Sequence, residues 1–549
     1  MLAPWTVLAQ IGEGGVPVGA ELTEVGVPTP SVTWTALLPM IVLALGALVL
    51  LTVASLSKGR VGRSTFTLWT VVTGLLSLGA AVPVWARVQG WEDAIGWWDP
   101  ATTDAGPFST VGDAVGIDGF SVLLTMLIAA AVVVVALLAD EYLRREGIEG
   151  PEFHVLVMLA GLGGMVMVSA NDLIVLFLGL ETLSIASYVL ASMNLRRAQS
   201  QEAGLKYFVL GAFSSAFFLY GIAMVYGGTG STGLAAIKDY LAQNLLLGDK
   251  GILLLLGVAL LLVGFGFKIA AVPFHSWSPD VYDGAPSPAV AFMASVTKVA
   301  AFAGMVRVLV VAFDAMAADW RPVLDALAVL SLVGGALLAI VQTDVKRLLA
   351  YSSISHAGFI LLGVSAASDK GTQAVVIYLV AYSFMVMGSF AVVALVGRGT
   401  DGHHAVADYR GLARSSPVLA GAFTFFLLAQ AGVPFTAGFY AKFYAVIAAV
   451  DADASWLALV AMLSAVISAY LYLRLIVSMW FQAPTDDAPA RRLTVPFAGA
   501  LALGACVLVT LLIGLFPGPL TRVADESRPV VVRSEPAVAS PLPTELTGG

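Results

Sequence analysis

Apolar residues run through this chain in long blocks, not in alternation with polar ones. A helix needs about 20 mostly apolar residues to cross a bilayer. On that rule fourteen spans are predicted, near 34–57, 64–86, 118–139, 153–170, 173–193, 202–226, 251–274, 287–312, 323–342, 347–367, 373–397, 417–449, 455–481 and 493–516. The longest polar pieces are 1–33, 87–117 and 517–549, so no large soluble domain is expected. The pattern predicts an all-α polytopic membrane protein. Composition agrees: of 549 residues 59% are hydrophobic and 12% charged, against about 25% charged in soluble domains. The mean hydropathy is +0.91. Segment 1–33 lacks a basic stretch followed by an apolar one, so no cleavable signal peptide is expected. The tail 517–549, rich in Pro, Val and Glu, is expected to be poorly ordered.

The loops divide into two sets by basic charge. One set carries Lys58, Arg60, Arg63, Arg144, Arg145, Arg196, Arg197, Lys346, Arg347, Arg398, Arg410, Arg414, Arg491 and Arg492. The other carries only Arg87, Lys238, Lys250, Arg321 and Lys370. The sets alternate in register with fourteen spans. Basic loops stay in the cytoplasm, so both termini are expected on the outer side of a bacterial cell membrane.

Two spans share an interruption. Span 7 reads Ala271-Val272-Pro273-Phe274 near its end, and span 12 reads Gly432-Val433-Pro434-Phe435. Proline removes a helical N–H and clashes with the preceding turn. A broken helix at membrane depth is tolerated where it lines a cavity or is buried in protein. Matching breaks in two halves point to transporter-like repeats. The expected organisation is an extension 1–33, helices 1–3 over 34–139, a first five-helix repeat over 153–312, and a second over 323–481. Helix 14 (493–516) and the tail 517–549 follow. Span 7 runs inward and span 12 outward, so the repeats are expected to be inverted.

Charge inside the spans carries the functional signal. Lys206, Lys268, Lys298, Lys442 and Glu181 all stand in apolar stretches. Each charge at the bilayer centre costs about 2.5–3.5 kcal/mol on insertion scales, so intramembrane charges mark ion or proton paths. A buried lysine exchanges protons near neutral pH when desolvation lowers its affinity for them. Lys206, on the span after Glu181, is the expected partner of that carboxylate. Parting the two would release a proton from the lysine. His275 follows the first break and His356 lies early in span 10; an imidazole suits a relay between lysines. Arg307 and Arg474 stay charged and are expected to pair or snorkel, and Asp172 is expected to cap a helix. Ser214, Ser215, Thr297, Ser352, Ser353 and Tyr382 are candidates to hold water between the charges.

Other chemistry is not encoded. The single Cys506 cannot ligate an iron–sulfur cluster alone. No Walker sequence and no GxGxxG after a strand is present. His403 and His404 sit in a polar loop and no metal site is expected. The net charge of -8 lies mostly in loops and tails, and nothing suggests a nucleic-acid partner.

Four segments carry a family resemblance: LGLETLSIASYVL (178–190), YFVLGAFSSAFFLYG (207–221), FKIAAVPFHSWSPDVYDGAPSP (267–288) and AGVPFTAGFYAKF (431–443). They resemble the antiporter-like membrane subunits of respiratory complex I, the NADH:quinone oxidoreductase, over roughly 34–516. The third segment is the most specific. Within the family the chain looks most like subunit N. It ends after about fourteen helices, without the lateral helix of subunit L, and has Lys442 where M-like members usually carry Glu. The resemblance implies proton translocation by Glu181, Lys206, Lys268, Lys298 and Lys442, driven by quinone reduction elsewhere. It implies no cofactor in this chain, with flavin, iron–sulfur clusters and quinone in other subunits. Implied partners are an M-like subunit, a small K-like subunit, the lateral helix of an L-like subunit, and lipid. A subunit of a multi-subunit sodium/proton antiporter shares these motifs, and a scaffold role, with the charges merely pinning helices, is the third reading.

Overall fold

The computed structural model describes residues 32–57, 62–91, 105–148, 150–244, 250–397, 404–484 and 493–533. Residues 1–31 of the extension, His403, the charges Lys58, Arg60, Arg398, Arg491 and Arg492, and residues 534–549 lie outside the described residues.

Thirteen helices among the described residues are long and apolar enough to cross a membrane. They are α1 (Trp34–Leu56), α2 (Arg63–Val88), α3 (Gly119–Glu146), α4 (Glu152–Ser169), α5 (Leu173–Ala191), α6 (Ala198–Thr229), α8 (Lys250–Ile269), α10 (Ser287–Ala312), α11 (Ala317–Ile340), α12 (Val345–Ser365), α13 (Asp369–Val396), α16 (Ser455–Phe481) and α17 (Phe497–Leu515). Between them lie a hairpin of β1 (Phe108–Thr110) and β2 (Val115–Ile117) and short helices that include α7 (Leu234–Gln243) and α9 (Trp277–Gly284), and α18 (Gly518–Glu526) follows the last span. The remaining expected span is split into α14 (Pro417–Ala431) and α15 (Ala437–Asp451).

Both interruptions fall at the proline motifs. The helix before Pro273 ends at Ile269, and its last turn is closed by Ala271 N–H to Gly266 O at 2.8 Å. The helix before Pro434 ends at Ala431, and Gly432 follows at φ 90°, a left-handed conformation that glycine adopts without strain.

The two halves repeat their local construction. Asp172 caps α5 by accepting from the N–H groups of Ile174 and Val175; Asp344 caps α12 by accepting from Lys346 and Arg347. Each cap residue also forms an antiparallel bridge to the loop after the next helix, Asp172 to Gly233 and Asp344 to Ala405. In each half the preceding helix packs backbone to backbone. A side chain on Gly163 of α4 would run into Leu183 N and Gly179 O of α5. One on Gly335 of α11 would lie 2.6 Å from Ser355 N of α12. Small residues allow such close approach where lipid offers no competing hydrophobic drive.

α10 is the central element: its apolar window is 100% buried. A helix apolar all round belongs inside. Two π segments interrupt it, Met293–Thr297 just before Lys298 and Val306–Ala312 around Arg307. π-bulges are frequent at functional sites. Arg307 donates to Asp118 at 2.7 Å and to Val168 O at 2.7 Å, which joins α10 to the start of α3 and the end of α4.

The described part of the tail departs from expectation. α18 and the residues after it pack on the bundle: Ala524 and Ser527 are buried. Val530 N–H donates to Asp118 at 3.0 Å, and Asn171 donates to Val532 O at 3.0 Å. Arg533 bonds Ala235 O and Asp239 on α7. Composition read the Pro, Val and Glu content correctly, but backbone groups paired to Asp118 and Asn171 hold the segment in place.

Candidate functional site

Three of the predicted lysines are buried in the interior. Lys268, in the last turn of α8, is 3% exposed, Lys298 2% and Lys442 8%. The break after Ile269 ends α8 one residue beyond Lys268, so the amine lies at the interrupted end of a helix.

Lys268 Nζ donates to Ser184 Oγ of α5 at 2.8 Å and lies 5.6 Å from the Tyr207 ring and 5.9 Å from the Tyr188 ring. Aromatic faces attract a nearby cation. Glu181 stands on the same helix, three residues before the Ser184 that Lys268 bonds. Its Oε1 is buried without a hydrogen-bond partner. A cavity of about 10 Å³, lined by Ser184, Ser214, Ser215 and Lys268 among others, has room for about one water.

The expected contact between Glu181 and Lys206 is not made. Lys206 instead pairs with Asp280 of α9 at 2.6 Å and with Glu202, one turn back on its own helix, at 2.7 Å. The cause is register. α5 and α6 run antiparallel, with Gly204 against Ser192 and Gly211 against Tyr188. Glu181 lies two turns back from Tyr188, which puts it level with Phe217 and Phe218, roughly 15–20 Å along the helix from the level of Lys206.

Lys298 Nζ donates to Ile269 O, the last residue of α8, at 3.2 Å and to Ser353 O of α12 at 2.7 Å. Ser353 Oγ accepts from Tyr382 of α13 at 2.8 Å, and the Tyr382 ring lies 5.9 Å from the amine. His356, one turn along α12 from Ser353 and Ser352, shares hydrogen bonds with Tyr378 at 2.7 Å and Tyr472 at 3.2 Å. Tyr472 is 2.5 Å from Ser352, which donates to Gln430 at 3.4 Å. The next residue, Ala431, accepts from Lys442 Nζ at 2.9 Å. Hydroxyls, an imidazole and an amide therefore fill the space between the second and third lysines.

His275 stands at the first break, half-buried, 6.3 Å from the Tyr351 ring and outside these hydrogen bonds. Thr297 turns back to bond Met293 O of its own helix and does not join the row. Tyr378, Tyr472, Gln430, Ser184 and Asp280 were not singled out by sequence. Tyr378 and Tyr382 lie four apart, a spacing that places both on one face of α13 and that points inward only once the helix is known to be buried.

A bundle with two interrupted helices and a buried amine row is the architecture of antiporter-like membrane proteins. The chain belongs to the NADH:quinone oxidoreductase/Mrp antiporter transmembrane family, whose pattern it matches over residues 170–468. It is 39% identical to NADH-quinone oxidoreductase subunit N of Trichlorobacter lovleyi, covering 90% of this chain and 97% of that one. With subunit N of Mycobacterium tuberculosis the identity is 46% over 71% of this chain and 73% of the relative. A chain in a structure of respiratory complex I from Thermus thermophilus with bound aureothin superposes with a TM-score of 0.72. It is 32% identical and covered in full, with 89% of this chain matched. A chain of the Mrp complex from Dietzia shares the fold at a TM-score of 0.75 and 21% identity, over 90% of this chain and 97% of that one.

Proposed function

We propose that this chain is the subunit-N component of the membrane arm of an NADH:quinone oxidoreductase and moves protons across the membrane while quinone is reduced elsewhere in the complex. The observation that carries the mechanism is the row of exchangeable groups from half-buried Glu181 and buried Lys268 through Lys298 and His356 to Lys442. Amines out of contact with bulk water change protonation with small changes in nearby charge. Glu181 stands about one turn from Ser184, which Lys268 bonds; a shift of that carboxylate frees the proton to travel on. Lys298, His356 and Lys442 then pass it along through Ser353, Tyr382, Tyr472 and Ser352. Tyrosine and serine hydroxyls both give and take a hydrogen bond, which suits a relay.

Flavin, iron–sulfur clusters and quinone belong to other subunits on this reading. The membrane is the bacterial cell membrane with both termini outside, and the two halves are inverted repeats. M-like and K-like subunits and the lateral helix of an L-like subunit are the neighbours. The shared fold with an Mrp complex favours a second reading, a sodium/proton antiporter without a redox partner. Co-purification separates the two: flavin and iron–sulfur absorbance with the chain supports the first, their absence the second. The mechanism is tested by Lys298→Ala in the assembled complex. The proton-to-electron ratio falls while NADH oxidation by an artificial acceptor persists; an unchanged ratio rejects the role.

A further inference from the structure

We propose that Asp280 is a positioning residue that makes α9 move as one body with α12, and so ties the lysines of the first half to the histidine of the second. The inference rests on the proton-path reading above.

α9 has eight residues. Helices that short are unstable alone, so its neighbours set its place. At its start, the Trp277 ring N–H donates to Phe267 O of α8 at 3.0 Å, and the ring stacks on Tyr207 of α6 at 4.4 Å. In its middle, Asp280 accepts twice. Lys206 of α6 reaches one oxygen at 2.6 Å and Arg347 of α12 the other at 2.7 Å. Past its end, Ala285 O accepts from Lys346 of α12 at 2.7 Å. Two successive residues of α12 therefore grip α9. The break between α8 and α9 is held by the second half too, since Val272 N–H donates to Ser331 Oγ of α11 at 2.9 Å.

α12 also carries Ser353, whose carbonyl accepts from Lys298, and His356, which is bonded to Tyr378 and Tyr472. Its apolar window is 94% buried. A buried helix bonded along its length shifts as a unit, so a displacement of α9 reaches Lys298 and His356 together. The ion-paired charges here are the cations Lys206 and Arg347 and the carboxylates Asp280 and Glu202, with Asp283 of α9 also near Arg347. Neutralising Asp280 leaves Arg347 without this carboxylate and loosens α9 from α12, with the Lys346 bond to Ala285 O as the remaining grip. Lys206 is thereby assigned to holding α9, not to the proton row.

The test uses the assembled complex in sealed vesicles, with NADH-driven quinone reduction and proton uptake measured together. Asp280→Asn and Arg347→Gln are expected to lose the part of the proton-to-electron ratio that Lys298→Ala removes, with electron flow to a soluble acceptor retained. The double variant is expected to fall no further than either single one, because one contact is broken in each. Asp280→Glu is expected to regain most of the ratio. If Asp280→Asn does not assemble, Arg347→Gln, which keeps the Lys206 pair, decides in its place. An unchanged ratio, or losses that add in the double variant, overturns the tie. If Lys298→Ala lowers the ratio while both tie variants keep it, the tie alone fails; if Lys298→Ala keeps it, both readings fall.

Discussion

Lys298 and Ser353 join the two halves of the molecule: the amine from α10 donates to the Ser353 carbonyl of α12 at 2.7 Å, and the same amine holds Ile269 O at 3.2 Å. A single buried amine thus touches the broken end of the first half and the relay helix of the second. Its position explains why one lysine at the centre of α10 outweighs its insertion penalty.

Tyr472→Phe removes a hydroxyl that serves both His356 and Ser352. A buried group left without its partner costs about 1–3 kcal/mol. The variant is expected to melt earlier and to translocate fewer protons per electron. Differential scanning fluorimetry and vesicle acidification check both. Equal melting and pumping contradict the link.

Arg307 and Asp118 are 2% and 0% exposed. Removing one partner of a buried ion pair destabilises by about 3–5 kcal/mol, whereas replacing both by apolar groups is often neutral. Arg307→Leu is expected to assemble poorly. The second oxygen of Asp118 holds Val530 N–H, so Arg307→Leu with Asp118→Leu is expected to recover assembly only in part. Blue native gels read the amount of complex.

Gly335→Ala forces a methyl against Ser355 N and Tyr351 O of α12. Overpacking of this kind costs about 1–3 kcal/mol. Gly79→Ala on α2, where a Cβ meets nothing within 4 Å, is expected to be neutral. Melting temperatures of the two purified variants give the comparison.

The spans, both breaks and the buried character of Lys268, Lys298 and Lys442 were legible in the sequence, because apolar blocks and prolines act locally. The partner of Glu181 was not. Adjacency of α5 and α6 suggested Lys206, but the register set by Gly204 and Gly211 carries Lys206 to Asp280 instead. Tyr472 was hidden for a related reason: an aromatic in a membrane helix reads as an interfacial anchor until its hydrogen bond to His356 is seen. The order of residues 517–533 depends on single backbone bonds to Asp118 and Asn171, which no composition reveals.

The most direct measurement is a map of the assembled complex that resolves water between Lys268, Lys298, His356 and Lys442. The account predicts ordered waters joining these groups to the Ser184, Ser353 and Tyr472 hydroxyls without a gap wider than one water. A dry apolar barrier between any two of the lysines, present in every state of the turnover cycle, would contradict it.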